Sequence, residues 1–287
     1  MTNELDHTNH GGLTGHADHD SQGHNPGPNP GHNLGHDLGS DLGSHAGHGS
    51  AQPGGMLVSE HGYTLELDSP ILDNGVQNVS FRITGPDGRP VTAFQDAHEK
   101  ELHLIVIRRD MAHFQHVHPV RDASGTWSID LNLNPGAWRI FADFHPAGHG
   151  QPMTLGIDVS VGGTYEPQQL PAADRTVQLG TYTVTLEGGL VAKEATELKF
   201  TVSRNGQPVP DLQPYLGAFG HLVALREGDL AYLHVHPEGS PGDGHTKPGP
   251  DISFLAVAPS AGTYRLHLDF QHQDTVRTAQ FTIHATT

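Results

Sequence analysis

The sequence predicts an all-β chain: two tandem antiparallel β-sandwiches behind a disordered, His-rich tail. Three observations carry this. Short runs of alternating apolar and polar residues, separated by turn residues, begin near Met56. The same pattern of runs and motifs occurs twice along the remaining chain. Residues 1–55 hold almost no large apolar side chains and are rich in Gly, His, Asn, Asp and Pro, so they cannot bury enough surface to offset chain entropy.

Taken in order, residues 1–55 are the tail. It carries nine histidines, at positions His7, His10, His16, His19, His24, His32, His36, His45 and His48, spaced by Gly, Asp, Leu and Ser. They recur without a helical or strand period, which suits a flexible metal-capturing tract. The first sandwich is expected over 56–163. Its strands show as Tyr63–Leu67, Val79–Ile83, Leu102–Ile107 and Trp138–Phe144, and its turns as Pro86-Asp87-Gly88 and Asn134-Pro135-Gly136. This is the strand-and-turn rhythm of a sandwich. Residues 164–175, with Pro167 and Pro171, read as a linker, and the second sandwich is expected over 176–287. Phe81–Val91 matches Phe200–Val209 with one residue deleted. His103–Pro119 matches His221–Pro237 without a gap, and Gly136–Phe144 matches Gly262–Phe270 at an offset of 126. The second copy therefore carries eight extra residues, which the loop 237–250 is expected to absorb.

Within the repeat lies the most specific motif, His-Val-His-Pro, at 116–119 and again at 234–237. Each copy has a further histidine thirteen residues upstream, His103 and His221, and all paired positions are 118 residues apart. Imidazole is the commonest protein ligand for zinc and copper. On a strand, residues i and i+2 project from one face about 6.5–7 Å apart. His116 and His118 therefore project together, as do His234 and His236. A hairpin turning near Arg109-Asp110, or near Glu227-Gly228, with an even-length loop sets His103 opposite His116 and His221 opposite His234. Opposed residues have Cβ atoms roughly 4.5–5.5 Å apart, so three imidazoles converge, a triangle that bonds of about 2 Å to zinc or copper fit. A bulge or odd-length loop would send the upstream histidine to the other face. The same faces continue into Ile105, Ile107 and Phe114, and into Val223, Leu225 and Tyr232, which puts each triad at the rim of an apolar layer. Asp143 and Asp269, in equivalent places, are candidates for a fourth ligand or for orienting a histidine. The alternative is a salt bridge to Arg139 or Arg265. His98, His145 and His149 in the first copy, and His245, His267 and His272 in the second, are unmatched and read as surface histidines.

Composition narrows the partners. The formal charge is −17 with the 24 histidines neutral, and roughly six positive charges return at pH 7 from imidazoles of pKa about 6.5. No Lys or Arg precedes Arg82, which argues against nucleic acid or an anionic membrane as partner of the tail. There is no cysteine, so disulfides, thiolate cages and thiol nucleophiles are excluded, and a metal would be held by N and O donors. No apolar run is long enough to span a bilayer. No basic start followed by an apolar core is read as a signal peptide, so a literal reading places the chain in the cytoplasm.

The segment Pro214–His221, the motif Leu233–Pro237 and Tyr264–Phe270 resemble a bacterial group of tandem sandwich proteins described only as heavy-metal-binding. The resemblance covers the second sandwich well and the first more loosely. More distantly the architecture is similar to cupredoxin-like and periplasmic copper-carrier sandwiches. The resemblance implies export to the cell envelope. A weaker resemblance, through His234-Val235-His236, is to copper/zinc superoxide dismutase, an Ig-like sandwich with an H-V-H metal strand. Here the disulfide cysteines are absent, the zinc-loop histidines have no good counterparts, and the extra histidine lies upstream.

These features point first to binding of Cu(II) or Zn(II) for sequestration, delivery or homeostasis, with metal ions as the only partners indicated. A metalloenzyme is the second reading, although no general base, nucleophile motif or Gly-rich phosphate loop is visible. A non-metal interaction or adhesion sandwich is the third. Because ligand histidines must be neutral, metal affinity is expected to fall on acidification from pH 7 to 5.

Overall fold

A computed structural model describes residues 52–233 and 235–287, with His236 described by its backbone alone. The tail histidines and His234 thus lie outside the described residues. Among the described residues there is no helix, and so none long and apolar enough to cross a membrane.

The first half forms strands β1 (Ser59–Glu60), β2 (Tyr63–Leu67), β3 (Ile71–Leu72), β4 (Gly75–Thr84), β5 (Phe94–Gln95), β6 (Leu102–Arg108), β7 (Gln115–Val117), β8 (Val120–Arg121), β9 (Thr126–Leu133), β10 (Gly136–Pro146) and β11 (Met153–Val161). They make two sheets, β1-β2-β4-β9-β8 and β3-β11-β10-β6-β7, with β5 added beside β10. The second half forms β12 (Thr176–Leu179), β13 (Tyr182–Gly188), β14 (Ala195–Arg204), β15 (Gln207–Pro208), β16 (His221–Arg226), β17 (Tyr232–Leu233), β18 (Val235–Pro237), β19 (Asp251–Val257), β20 (Gly262–His272) and β21 (Thr275–Ala285). Its sheets are β12-β13-β14-β19-β18, with β15 beside β14, and β17-β16-β20-β21.

Alternation decides which face is buried. In β4, Val79, Phe81 and Ile83 point inward and meet Trp127, Leu131 and Leu133 of β9, and Trp138, Ile140 and Phe144 of the other sheet complete the first core. The second core repeats this with Phe200, Phe254, Leu266 and Phe281. Asn205-Gly206 forms a two-residue turn between β14 and β15 with both residues left-handed, φ 50° and 76°, as the favoured hairpin turn requires. The extra length of the second copy sits between β18 and β19. There the Asp243 carboxylate accepts from the backbone of Ser240, His245 and Thr246.

A third apolar cluster explains why β6 is buried along its whole length. Leu102, Leu104 and Val106 enter the first core. Ile105 and Ile107, on the opposite face, join Phe141, Met111, Val223, Leu225 and Tyr232 in a separate cluster between the two sandwiches. A strand covered on both faces reads as a continuous apolar run, which Leu104–Ile107 does. The rim of apolar residues expected beside each triad is therefore the layer where the sandwiches pack. The contact is self-matching: Phe114 stacks on His267 at 3.7 Å, and the repeat-equivalent pair, Tyr232 and Phe141, has ring centroids 5.6 Å apart. Equivalent patches thus meet each other, as at a two-fold interface.

The His-Val-His-Pro segment is where the chain changes sheet. β7 pairs with β6, while β8, just beyond Pro119, pairs with β9 of the other sheet. In the second copy β17 pairs with β16 and β18 with β19. In the first copy Pro119 lies between the two strands, and proline lacks the N–H that a continuing ladder would need; in the second the change comes before Pro237, which is already part of β18.

Candidate metal centre

The hairpin that builds the site differs in register from the expectation. Leu104 pairs with Val117, Ile105 with His116 and Val106 with Gln115, so His118, not His116, comes level with His103. The turn is centred one residue later than expected because Asp110 organises it. Its carboxylate accepts from the Ala112 N–H at 3.3 Å and from Arg108 at 2.9 and 2.8 Å. Met111 takes a left-handed φ of 65° and its N–H donates to the Arg108 carbonyl at 2.7 Å. The displacement is two residues, so parity survives and all three histidines keep one face. The second copy has the same register, Ala224 with Leu233 and Leu225 with Tyr232.

His103, His116 and His118 come together. Their facing nitrogens all lie within 4.8 Å of one another, with His103 Nδ1 3.0 Å from His116 Nε2 and 3.1 Å from His118 Nε2. The far nitrogens of two rings are committed elsewhere. His103 Nε2 donates to the Ala97 carbonyl at 2.9 Å. His116 Nδ1 donates to Asp269 Oδ2 at 2.8 Å, and both side chains are only 5% exposed. A neutral imidazole that donates through its outer nitrogen presents a lone pair at its inner one. The inner nitrogens of His103 and His116, 3.0 Å apart, are placed to share a cation.

Burial disfavours a proton on His103 or His118. Burial pushes His103 down to about 4, despite the Ala97 carbonyl, which favours the charged form. Burial, reinforced by the neighbouring His116 and His103, brings His118 down to about 3.

Asp269 belongs to the second sandwich, so the first site is completed across the interface. The Thr278 hydroxyl donates to its other oxygen, Oδ1, at 2.5 Å. Arg265, the alternative partner, instead donates to Thr282 and Gln280. Asp143 lies level with His103 on the adjoining strand β10. It accepts from Thr154 at 3.2 Å and from the Tyr232 hydroxyl of the second sandwich at 3.4 Å. Burial first, and then Asp143, raise Tyr232 well above the usual phenol range, keeping it a donor. Arg139 donates to Asp158 and to the carbonyls of Gly55 and Met56. A carboxylate gripping the outer N–H of a ligand imidazole fixes its ring and raises its basicity.

In the second copy, His221 Nε2 donates to the carbonyl of Tyr215 at 2.8 Å, the position equivalent to Ala97, and to that of Leu216 at 3.1 Å. Burial lowers His221 to about 4. His221 lines the same inter-sandwich cavity as His98, His103, His116 and Asp143. His234 and the side chain of His236 lie outside the described residues.

Two of the histidines read as surface residues are buried. His267 is fully enclosed against Phe114, and burial holds it well below the usual imidazole range. His272 accepts or donates at 2.8 Å with the Tyr182 hydroxyl. His98, also set aside from sequence, stands at the mouth of the cavity. The only signal that could have marked it is its place five residues before His103.

These burials have a consequence for stability. His103, His118, His221 and His267 are neutral in the fold, while in the unfolded chain each takes a proton near pH 6.5. Below that pH the unfolded state binds more protons, so stability is full above about 6.5 and declines as pH falls toward 4. The urea midpoint of the metal-free protein is expected to drop between pH 7 and 4.5. His118→Gln should flatten that dependence, and equal slopes would contradict this assignment. The same burial moves protonation of His103 and His118 below the pH 7–5 window of unperturbed imidazole.

A family model described as a domain of unknown function, DUF8832, matches residues 58–162 and again 175–287. Among curated proteins nothing matches. Similar solved structures include Yersinia pseudotuberculosis InvD, at 11% identity over 79% of this chain and 58% of that one, TM-score 0.26. Escherichia coli alpha-2-macroglobulin is 16% identical over 78% of this chain and 20% of its own, TM-score 0.26. Fibronectin(III)-like modules of Clostridium thermocellum CbhA are 12% identical over 78% and 94%, TM-score 0.21. The chain spans less than two thirds of the first two, and likenesses at these TM-scores define no shared function.

Proposed function

Since the chain belongs to the DUF8832 family of unknown function, we propose from the site alone that it binds Cu(II) or Zn(II) for sequestration, delivery or homeostasis. The reading assigns His103, His116 and His118 as ligands. Through the 118-residue repeat it assigns a second set, His221, His234 and His236, and gives the tail histidines an accessory capturing role. The observation that supports it most is the convergence of His103 Nδ1, His116 Nε2 and His118 Nε2 within 4.8 Å of one another, with the far nitrogens of His103 and His116 engaged by the Ala97 carbonyl and the Asp269 carboxylate. Imidazole donors suit copper and zinc alike, and copper binds more tightly in free competition.

Calorimetric titration of residues 51–287, which form one compact unit, with zinc or copper tests it. Binding that disappears in His103→Ala/His116→Ala/His118→Ala, at that centre, is expected. No binding to the tail-deleted chain would leave the interaction-sandwich reading in its place.

Asp269 is assigned as the group that orients His116. Asp269→Asn removes the carboxylate while keeping shape, and is expected to weaken zinc binding at the first centre about 10- to 100-fold. Unchanged affinity would show that the 2.8 Å contact is structural only.

One observation favours a metalloenzyme as the second reading. Three protein ligands leave a tetrahedral ion one open position, in a cavity that Asp143 and Tyr232 also line. Turnover of a redox or hydrolytic substrate by metal-loaded protein, lost with His118→Ala, would favour it over simple binding.

A further inference from the structure

The two centres are not equivalent, and the difference lies at one position of a repeated turn. Before β6 the chain turns through Ala97–Lys100, and before β16 through Tyr215–Ala218, each closed by the same pair of backbone contacts. His98 and Leu216 occupy the same place in these turns, with φ of 49° and 53°. The first sandwich therefore presents an imidazole where the second presents an alkyl chain.

That imidazole faces the other sandwich. The His98 ring centroid is 5.0 Å from that of His221, at 83° between planes. Within the first triad the three centroid separations are 5.3, 4.8 and 5.1 Å. Two imidazoles bound to one tetrahedral ion at about 2.0–2.1 Å have centroids about 5 Å apart, so the His98–His221 spacing is that of two ligands on one ion. The cross distances are longer: 6.0 Å from His98 to His103, and 6.3 Å from His221 to both His103 and His116. Among the described residues these five rings divide into a triad and a pair. His221 Nε2 is committed to backbone carbonyls, as His103 Nε2 is, which leaves His221 Nδ1 for a metal.

We propose that His98 is a protein ligand of the second centre, donated across the interface by the first sandwich. This rests on the metal-binding reading above. His98 and His221 then share one ion, the first supplied by the first sandwich and the second by the other. At the first centre Leu216 stands at the place of His98, so that turn supplies no imidazole there. Each sandwich completes the other's centre: the second supplies Asp269 to the first, and the first supplies His98 to the second.

The test is a cobalt(II) titration of the full chain followed by visible absorption, in a His118→Ala background that disables the first centre. The tail is common to all variants, so differences report the folded sites. Adding His98→Leu copies the residue that the equivalent turn already accommodates, and His98→Asn keeps a residue tolerant of the left-handed backbone. Both are expected to weaken the remaining centre at least about 10-fold and to shift its ligand-field bands, since each removes one nitrogen donor. With the first centre intact, His98→Leu should leave that centre's cobalt spectrum unchanged. If both His98 variants bind cobalt with unaltered affinity and spectrum, the proposal is overturned while metal binding at the second centre stands. If no variant, nor the wild-type chain, gives a spectrum of imidazole-bound cobalt, the proposal falls together with the metal-binding reading.

Discussion

Replacing His103 with alanine is expected to remove tight zinc binding at the first centre. His103 Nδ1 is the atom that contacts both other donors, at 3.0 and 3.1 Å, so its loss leaves two imidazoles on one strand end with no third. Even groups that only orient a ligand carry about 10- to 100-fold in affinity, and a ligand itself should exceed the upper figure. The effect is readable as stability. Free zinc at 100 times the dissociation constant raises unfolding free energy by about 2.7 kcal/mol per site. That increment should vanish for the first centre in His103→Ala while the metal-free proteins differ little. The Ala97 carbonyl does lose its donor, at a cost of about 1 kcal/mol. A zinc-dependent shift in melting equal to wild type would show that His103 is a packed core histidine and not a ligand.

The second large effect is expected from a residue that touches no imidazole of the triad. Phe141 is fully buried in the apolar layer between the sandwiches and packs on Tyr232. Truncating a buried phenylalanine costs about 3–5 kcal/mol. Phe141→Ala removes packing between the sandwiches, and Asp269 reaches His116 only when they are docked. The variant is therefore expected to lose zinc affinity at the first centre as well as stability, and excess zinc should recover part of that stability by mass action. A loss of stability with unchanged zinc affinity would separate docking from metal binding.

How much of this was legible in the sequence follows from what each signal encodes. The strands were, because burial on one face forces alternation, as in Val79, Phe81 and Ile83. The meeting of His103 with His116 and His118 was legible too, because a repeat at constant spacing constrains a hairpin to one parity. Its register was not. The Asp110 carboxylate shifts the turn by one residue, and side-chain capping of a turn leaves no periodic trace. Nor was the partner of His116. Asp269 is equivalent to Asp143 in the repeat, which suggests one carboxylate per sandwich acting at home. The structure instead sends Asp269 across an interface that only tertiary packing creates. The apolar residues beside the triads, Ile105 and Val223 among them, were visible as a layer, but nothing in their pattern said that the layer faces the other sandwich. His98 was passed over for the same reason. It has no counterpart in the second copy, and a ligand supplied from another domain carries no spacing signature.

The central claim is that His103, His116 and His118 hold a metal ion. Crystals of the full chain grown with zinc, measured at the zinc absorption edge, test it most directly. The account predicts an anomalous peak about 2.0–2.1 Å from His103 Nδ1, His116 Nε2 and His118 Nε2, with the His116–Asp269 contact preserved. Zinc found only on other histidines, with the three nitrogens still facing one another at their present distances, would contradict it.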